Sequence, residues 1–166
     1  ATHLFNGMDP IHHRKPGIIG AAFHAGASVE LICDGLHIHP EVIRMVHQLY
    51  GERLNLISDS LRCAGMPDGS YELGGQPITV KNGKATLSGT DTLAGSSISV
   101  LDALRNVVKY GLSLPDAVYA ATTAPAQAAR LTDVGELAVG KKADLLLLDR
   151  ELRLKAVFID GKKLTI

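Results

Sequence analysis

His3 follows a short β-prone run at the head of the chain, and Asp59 follows another, Leu54-Asn55-Leu56-Ile57-Ser58. A neutral imidazole is the commonest protein metal ligand. In parallel α/β barrels, functional side chains gather at the carboxyl ends of the strands, where the βα-loops converge. One imidazole and one carboxylate on neighbouring strand ends suit a metal-activated water with a carboxylate as its base. Both residues also have plain uses. A His at a strand end is often structural, and an Asp after a strand is a common turn or N-cap residue. The residues by themselves leave the two readings open.

Three further stretches could bear on a ligand. His37-Ile38-His39 puts two imidazoles at alternate positions, which in an extended segment share a face and could bind one metal. His39 precedes Pro40, however, and is held extended at a helix start. The reading adopted is His37 in the site and His39 structural, with Asp34-Gly35 keeping the loop before them tight. Asn6-Gly7 is a small turn whose backbone N–H groups could face an anion. Arg14, beside Lys15, could supply a cation for phosphate, although a solvated loop with a basic tip explains it as simply. Leu93-Ala94-Gly95-Ser96-Ser97 opens a helix; Gly95 permits close backbone approach there, and helix starts favour anions. A plain N-cap is the simpler account of that stretch.

These residues need a frame. β-prone runs at residues 1–5, 29–33 and 54–58 alternate with GIIGAAFHAG and PEVIRMVHQLYG. The second of these has Val42, Val46, Leu49 and Tyr50 at helical spacing, Pro40 at a first helical position and Gly51 at the stop. Strand, helix, strand, helix, strand favours parallel strands with helical crossovers. The middle is Gly-rich, and Asn82-Gly83 between β-prone runs predicts a hairpin within an insertion at about 70–88. A helix is expected from Ser97 to Tyr110, with Leu101, Leu104 and Val108 on one stripe. A second opens at Ser113-Leu114-Pro115-Asp116, which has capping-box spacing, and Pro125 breaks or restarts it. The last strands are 143–149, 152–159 and 162–166, with Asp160-Gly161 as a hairpin turn.

Composition bounds the class. The chain has 166 residues, 46% hydrophobic and 20% charged, which is globular. Seventeen basic residues balance seventeen acidic ones, so charge gives no argument for nucleic acid or an anionic membrane. No apolar run approaches the roughly 20 residues of a membrane-spanning helix. Cys33 and Cys63 lie in no metal or redox spacing, and two reduced, packed thiols in a cytoplasmic protein are expected. Three parallel strands ending at residue 59 cannot cover both faces and edges of a sheet. The expectation is therefore an incomplete chain, the C-terminal part of a longer protein.

In order along the chain, ATHLFNGM, HHRKPG, DGLHIHP, LISDSLRCAGMPDG, TLAGSSISVLDALRN and GELAVGKKADLLLLD resemble the C-terminal part of the N-acetylglucosamine-6-phosphate deacetylases, within the amidohydrolase superfamily. The last motif marks many amidohydrolases; the first three combined with TLAGS are more specific. The resemblance implies an α/β fold: about the last three strands of a TIM-like (β/α)8 barrel over residues 1–131, and the C-terminal strands of a small β-sandwich over 132–166. A whole barrel needs on the order of 250 residues, so the isolated chain is expected to be inactive. By the same resemblance His3 aligns with a metal ligand and Asp59 with the catalytic carboxylate. Asn6, Gly7, Arg14 and His37 align with residues holding the sugar phosphate, and Leu93, Ala94 and Gly95 with the loop over the sugar. A further metal-binding Glu and His would lie on earlier strands. Lys15 and Asp91 depart from the pattern, where an acidic residue and a Gly are usual. The implied cofactor is a divalent metal, zinc first, with iron or another ion as alternatives. The implied assembly is a homodimer of the full-length protein in which Arg14 reaches the neighbouring subunit's substrate. Two rival readings stand beside this one: a metal-dependent amidohydrolase acting on a cyclic amide or purine, and a non-catalytic fragment that docks with a partner chain.

Overall fold

The computed structural model describes residues 1–165. The alternation expected at the start is present. Helix α1 (Gly17–His24) leads to strand β1 (Val29–Ile32), helix α2 (Pro40–Tyr50) crosses back, and strand β2 (Leu54–Ile57) lies parallel to β1 with Val29 opposite Leu54 and Ile32 opposite Ile57. Burial along both strands is nearly continuous rather than alternating, as it is when a parallel sheet is covered on both faces. The helices are tied by the Tyr50 hydroxyl, which donates to the Ile19 carbonyl at 2.7 Å. Helix α2 buries Ile43, Val46 and Tyr50 and leaves Leu49 exposed. Val46 and Tyr50 of the expected stripe thus face inward, with Ile43 in place of Val42 and Leu49.

Residues 1–5 differ from expectation: they form turns, not a strand. The segment still runs beside β1. Glu30 N–H donates to the Ala1 carbonyl, and its own carbonyl accepts from Leu4 N–H. A regular parallel ladder would join one residue to positions two apart. Here they are three apart, and the extra residue is absorbed by positive φ at His3 (38°) and Phe5 (77°). The local effect is that of a bulge, which re-aims a side chain at a strand end. Fully buried Leu4 anchors the segment.

The insertion is larger than the single hairpin expected. β3 (Gly69–Leu73), β4 (Gln76–Lys81) and β5 (Lys84–Leu87) form an antiparallel meander with two-residue turns at Gly74-Gly75 and Asn82-Gly83. All four turn residues have positive φ, as the turns that match strand twist require. β4 alternates cleanly, with Ile78 and Val80 buried. They pack with Cys63, Ala85 and Ala94. Helix α3 (Val100–Lys109) begins at Ser99 in a full capping box with Asp102, and buries Leu104 of the expected stripe together with Ala103 and Val107 rather than Leu101 and Val108. Helix α4 (Leu114–Ala121) starts with Ser113 Oγ bonded to both the Asp116 backbone and carboxylate. Both thiols are free and buried.

The chain divides into two compact units, Ala1–Ala121 and Thr122–Ile166. The second begins with helix α5 (Thr123–Ala128), whose Pro125 sits in the first turn. Thr123 Oγ1 donates to the Gly135 carbonyl at 2.7 Å, which fastens α5 to the segment after it. Beyond it β6 (Leu145–Leu148), β7 (Leu154–Ile159) and β8 (Lys162–Lys163) form an antiparallel sheet, with Asp160-Gly161 at the expected turn. Residue 166 of the last expected strand lies outside the described residues.

Candidate active site

Beyond the carboxyl ends of β1 and β2 lies an open cleft of about 320 Å³. His3, Asn6 and Gly7 line it from the N-terminal segment, His37 from the loop after β1, Asp59 from the end of β2, and Leu93 and Gly95 from the loop before α3. Residues far apart in sequence meet because parallel strands put all their carboxyl ends on one side.

The His3 ring is partly buried, and its Nδ1 has no hydrogen-bond partner. A buried polar nitrogen left unpaired costs about 1–3 kcal/mol, so the position fits a group that binds imidazole. Among the described residues no cluster of three or more His, Cys, Asp or Glu could hold a metal ion.

His37 is held differently. Its Nδ1 lies 2.7 Å from Asp34 Oδ2, while Asp34 Oδ1 accepts from the backbone N–H groups of Leu36 and His37 at 2.8 and 2.9 Å. Burial pushes the Asp34 carboxyl up, but the His37 ring bond and the two backbone bonds outweigh it, and the group sits below its ordinary value. Its contribution to stability is therefore present above the ordinary carboxylate range and is lost as pH falls through the depressed value. The sequence by itself gives Asp34 only a place in the loop. The available signal was its i, i+3 spacing to His37. His39 is not in the cleft. It is extended (ψ 140°) and its Nδ1 caps α2 by accepting from Glu41 N–H, as the Pro40 argument expects.

Asp59 is exposed, with φ 47°. Its carbonyl accepts from Ser96 N–H, and Ser96 carbonyl accepts from Leu61 N–H, both at 2.9 Å. The Ser96 hydroxyl also donates to the Ser58 carbonyl. On its other side the same loop bonds to β5, with Leu87 N–H donating to Thr92 and Ala94 N–H to Ala85. The three-stranded insertion thus holds the 93–96 loop against the Asp59 turn. Ala94 does not line the cleft; it is buried against the insertion and anchors the loop. Arg14 is not at the cleft either. It is exposed on a tight turn closed by paired His12–Lys15 backbone bonds, and its Nη1 donates to His13 Nε2 at 2.7 Å.

Gly95 shows how tight the loop is. It has φ 69°, and a Cβ there would stand 2.9 Å from Leu61 Cδ2 and 3.1 Å from the Asp59 carbonyl oxygen. Gly95→Ala is expected to destabilise the full-length protein by about 1–3 kcal/mol, from left-handed strain and this crowding. Urea unfolding checks it; a change below a few tenths of a kcal/mol would mean that the loop is not packed as described.

A model of the amidohydrolase family matches residues 2–164. The chain is 34% identical over 164 residues to an N-acetylglucosamine-6-phosphate deacetylase of Vibrio furnissii, covering 97% of this chain and 41% of that protein. It is 39% identical over 164 residues to a protein of Escherichia coli K12 described as a putative N-acetylgalactosamine-6-phosphate deacetylase, covering 96% and 97% of the two. Among solved structures, a mutant N-acetyl-D-glucosamine-6-phosphate deacetylase from Mycobacterium smegmatis in complex with N-acetyl-D-glucosamine-6-phosphate matches with a TM-score of 0.93 and 41% identity, over 98% of this chain and 44% of that one. The chain spans about two fifths of the length of most of the curated relatives it matches.

Proposed function

Because the chain belongs to the amidohydrolase family, we propose that the full-length protein hydrolyses the N-acetyl group of N-acetylglucosamine-6-phosphate to glucosamine-6-phosphate and acetate. The observation carrying this reading is the single cleft that joins His3, Asn6, Gly7, His37, Asp59, Leu93 and Gly95. Its support is the likeness to deacetylases over nearly the whole chain. In this reading residues 1–131 belong to the barrel and 132–166 to a small β-sandwich. In this reading the full-length protein works as a cytoplasmic homodimer; among the described residues no helix is long and apolar enough to cross a membrane.

His3 would contribute one ligand to a divalent metal, zinc first, whose bound form polarises the amide carbonyl and acidifies water. Asp59, at the mouth of the cleft, accepts the proton of the attacking water and hands it to the departing nitrogen. The second transfer is necessary because an amide anion is a very poor leaving group. The Asn6-Gly7 turn and His37 bind the phosphorylated sugar on this side, so that the acetyl group is presented to Asp59 rather than left to find it. Leu93 and Gly95 close over the sugar.

Acetate release tests the reading. The full-length protein should deacetylate N-acetylglucosamine-6-phosphate well and unphosphorylated N-acetylglucosamine poorly, with N-acetylgalactosamine-6-phosphate measured alongside to fix the epimer. Hydrolysis of a cyclic amide or purine in its place would overturn it. The 166-residue chain alone, with a single candidate metal ligand in its cleft, should show no turnover in the same assay with zinc added. Ordinary enzymatic rates from it would mean that the described residues suffice.

A further inference from the structure

We infer that Asp34 is a positioning residue for substrate phosphate: it receives the Nδ1–H of His37 and so turns the opposite ring nitrogen, Nε2, toward the phosphate. The inference rests on the proposed sugar-phosphate function and adds a residue to it. Three observations carry it. The pair is almost sealed, with the side chains of His37 and Asp34 only 5% and 4% exposed, yet His37 also lines the cleft. Asp34 spends Oδ1 on two backbone N–H groups and Oδ2 on the ring. An ionised carboxylate only accepts hydrogen bonds, so Nδ1 carries the proton and Nε2 is the nitrogen left for a ligand. The third observation is the support behind the turn. From α3, Asn106 Nδ2 donates to the Cys33 carbonyl at 2.9 Å. One helical turn on, Tyr110 packs its hydroxyl where a Gly35 side chain would begin. With φ 77° at Gly35, the turn is closed to other residues and fixed from the helix side.

A His–carboxylate pair of this kind orients a ring and fixes its tautomer, much as outer-shell carboxylates do for metal-bound imidazoles. With the carboxylate behind holding Nδ1, the ring plane is set and Nε2 faces the side on which a phosphate would bind. Freed of Asp34, the same ring could rotate or adopt the other tautomer, and would meet phosphate in the right state only part of the time.

The test uses the full-length protein. Asp34→Asn retains an acceptor for the two backbone N–H groups and replaces the ring acceptor with an NH2 donor. It should raise KM for N-acetylglucosamine-6-phosphate by about ten- to a hundredfold with kcat and the thermal midpoint little changed. His37→Ala should give a similar rise, and adding Asp34→Asn to it should raise KM no further, because coupled residues do not add. An unchanged KM for Asp34→Asn, or equal rises in both backgrounds, would overturn the inference. If Asp34→Asn lowers stability, the wild-type ring decides. Nitrogen-15 spectra should show Nδ1 of His37 protonated, with Nε2 shifting as inorganic phosphate is added; an unprotonated Nδ1 or an indifferent Nε2 overturns the inference. This readout needs no turnover. A protein that binds phosphate at Nε2 but hydrolyses no acetylated sugar phosphate would sink the proposed function and leave Asp34 in its role.

Discussion

Asp59→Asn in the full-length protein should abolish turnover of N-acetylglucosamine-6-phosphate while leaving its binding nearly intact. The substitution is a clean probe because of the backbone. Asp59 holds φ 47°, a left-handed conformation that Asn adopts as readily as Asp. The bond from Ser96 N–H goes to the residue 59 carbonyl, not to the side chain, so it survives the change. The cleft retains its shape, and only the capacity to take a proton is lost. Removing a general acid–base group typically lowers rate by roughly 10²–10⁴. In the proposed mechanism both transfers, from water and to nitrogen, use one carboxylate, so the upper part of that range is expected. Calorimetric titration with substrate should return a Kd close to that of the unmodified protein. A near-normal kcat would remove Asp59 from the chemistry and reduce it to the turn residue that its sequence position also allows. A collapse of binding along with rate would mean that the carboxylate holds substrate or metal instead.

How much of this site was legible beforehand depended on the kind of signal each part carries. Parallel strands announce themselves by apolar runs that end in polar residues, and β1, α2 and β2 fell where such runs lay. The grouping of His37 and Asp59 at those strand ends therefore follows from topology. The N-terminal segment defied its run because a one-residue bulge with left-handed His3 and Phe5 leaves no trace in residue type. β3 was missed because its side chains are mostly exposed and show no apolar alternation, although Gly74-Gly75 was a readable turn. The helical stripes of α2 and α3 hold at Val46, Tyr50 and Leu104 and shift by one position elsewhere, since which apolar residues face inward is settled by neighbours and not by spacing alone. Asp34 shows the limit most sharply. Its role depends on two lone-pair directions in a buried turn, and the DGLH string shows only that a carboxylate stands three residues from an imidazole. In the second unit, the α5 segment falls with residues 122–166 rather than with what precedes it, because Thr123 and Ala126 pack on Gly135. That contact is invisible in a Pro-containing helix pattern.

Arg14→Ala should separate a phosphate-binding role from a merely structural one, and its position makes the test a test of assembly too. The guanidinium is exposed on the residue 12–15 turn and is absent from the cleft that holds His37 and Asp59. Within one chain it bonds to His13 Nε2, a contact that contributes nothing to a sugar phosphate. In the dimer we propose, it reaches the substrate of the neighbouring subunit. A guanidinium can meet a phosphate with two parallel hydrogen bonds, and charge-assisted bonds contribute about 1.5–3 kcal/mol each. Arg14→Ala should therefore raise KM for N-acetylglucosamine-6-phosphate by at least about tenfold, and hardly change the slow reaction of unphosphorylated N-acetylglucosamine. Mixing then identifies whose substrate Arg14 holds. Arg14→Ala subunits retain Asp59, and Asp59→Asn subunits retain Arg14. If the arginine crosses the interface, each mixed dimer contains one site with both groups intact, and activity at low substrate rises above that of either parent. If the arginine serves its own chain, every site in the mixed dimer lacks one group and no activity returns. An equal loss for phosphorylated and unphosphorylated sugars would show that Arg14 only braces its loop, and phosphate recognition would then fall to the Asn6-Gly7 turn and His37.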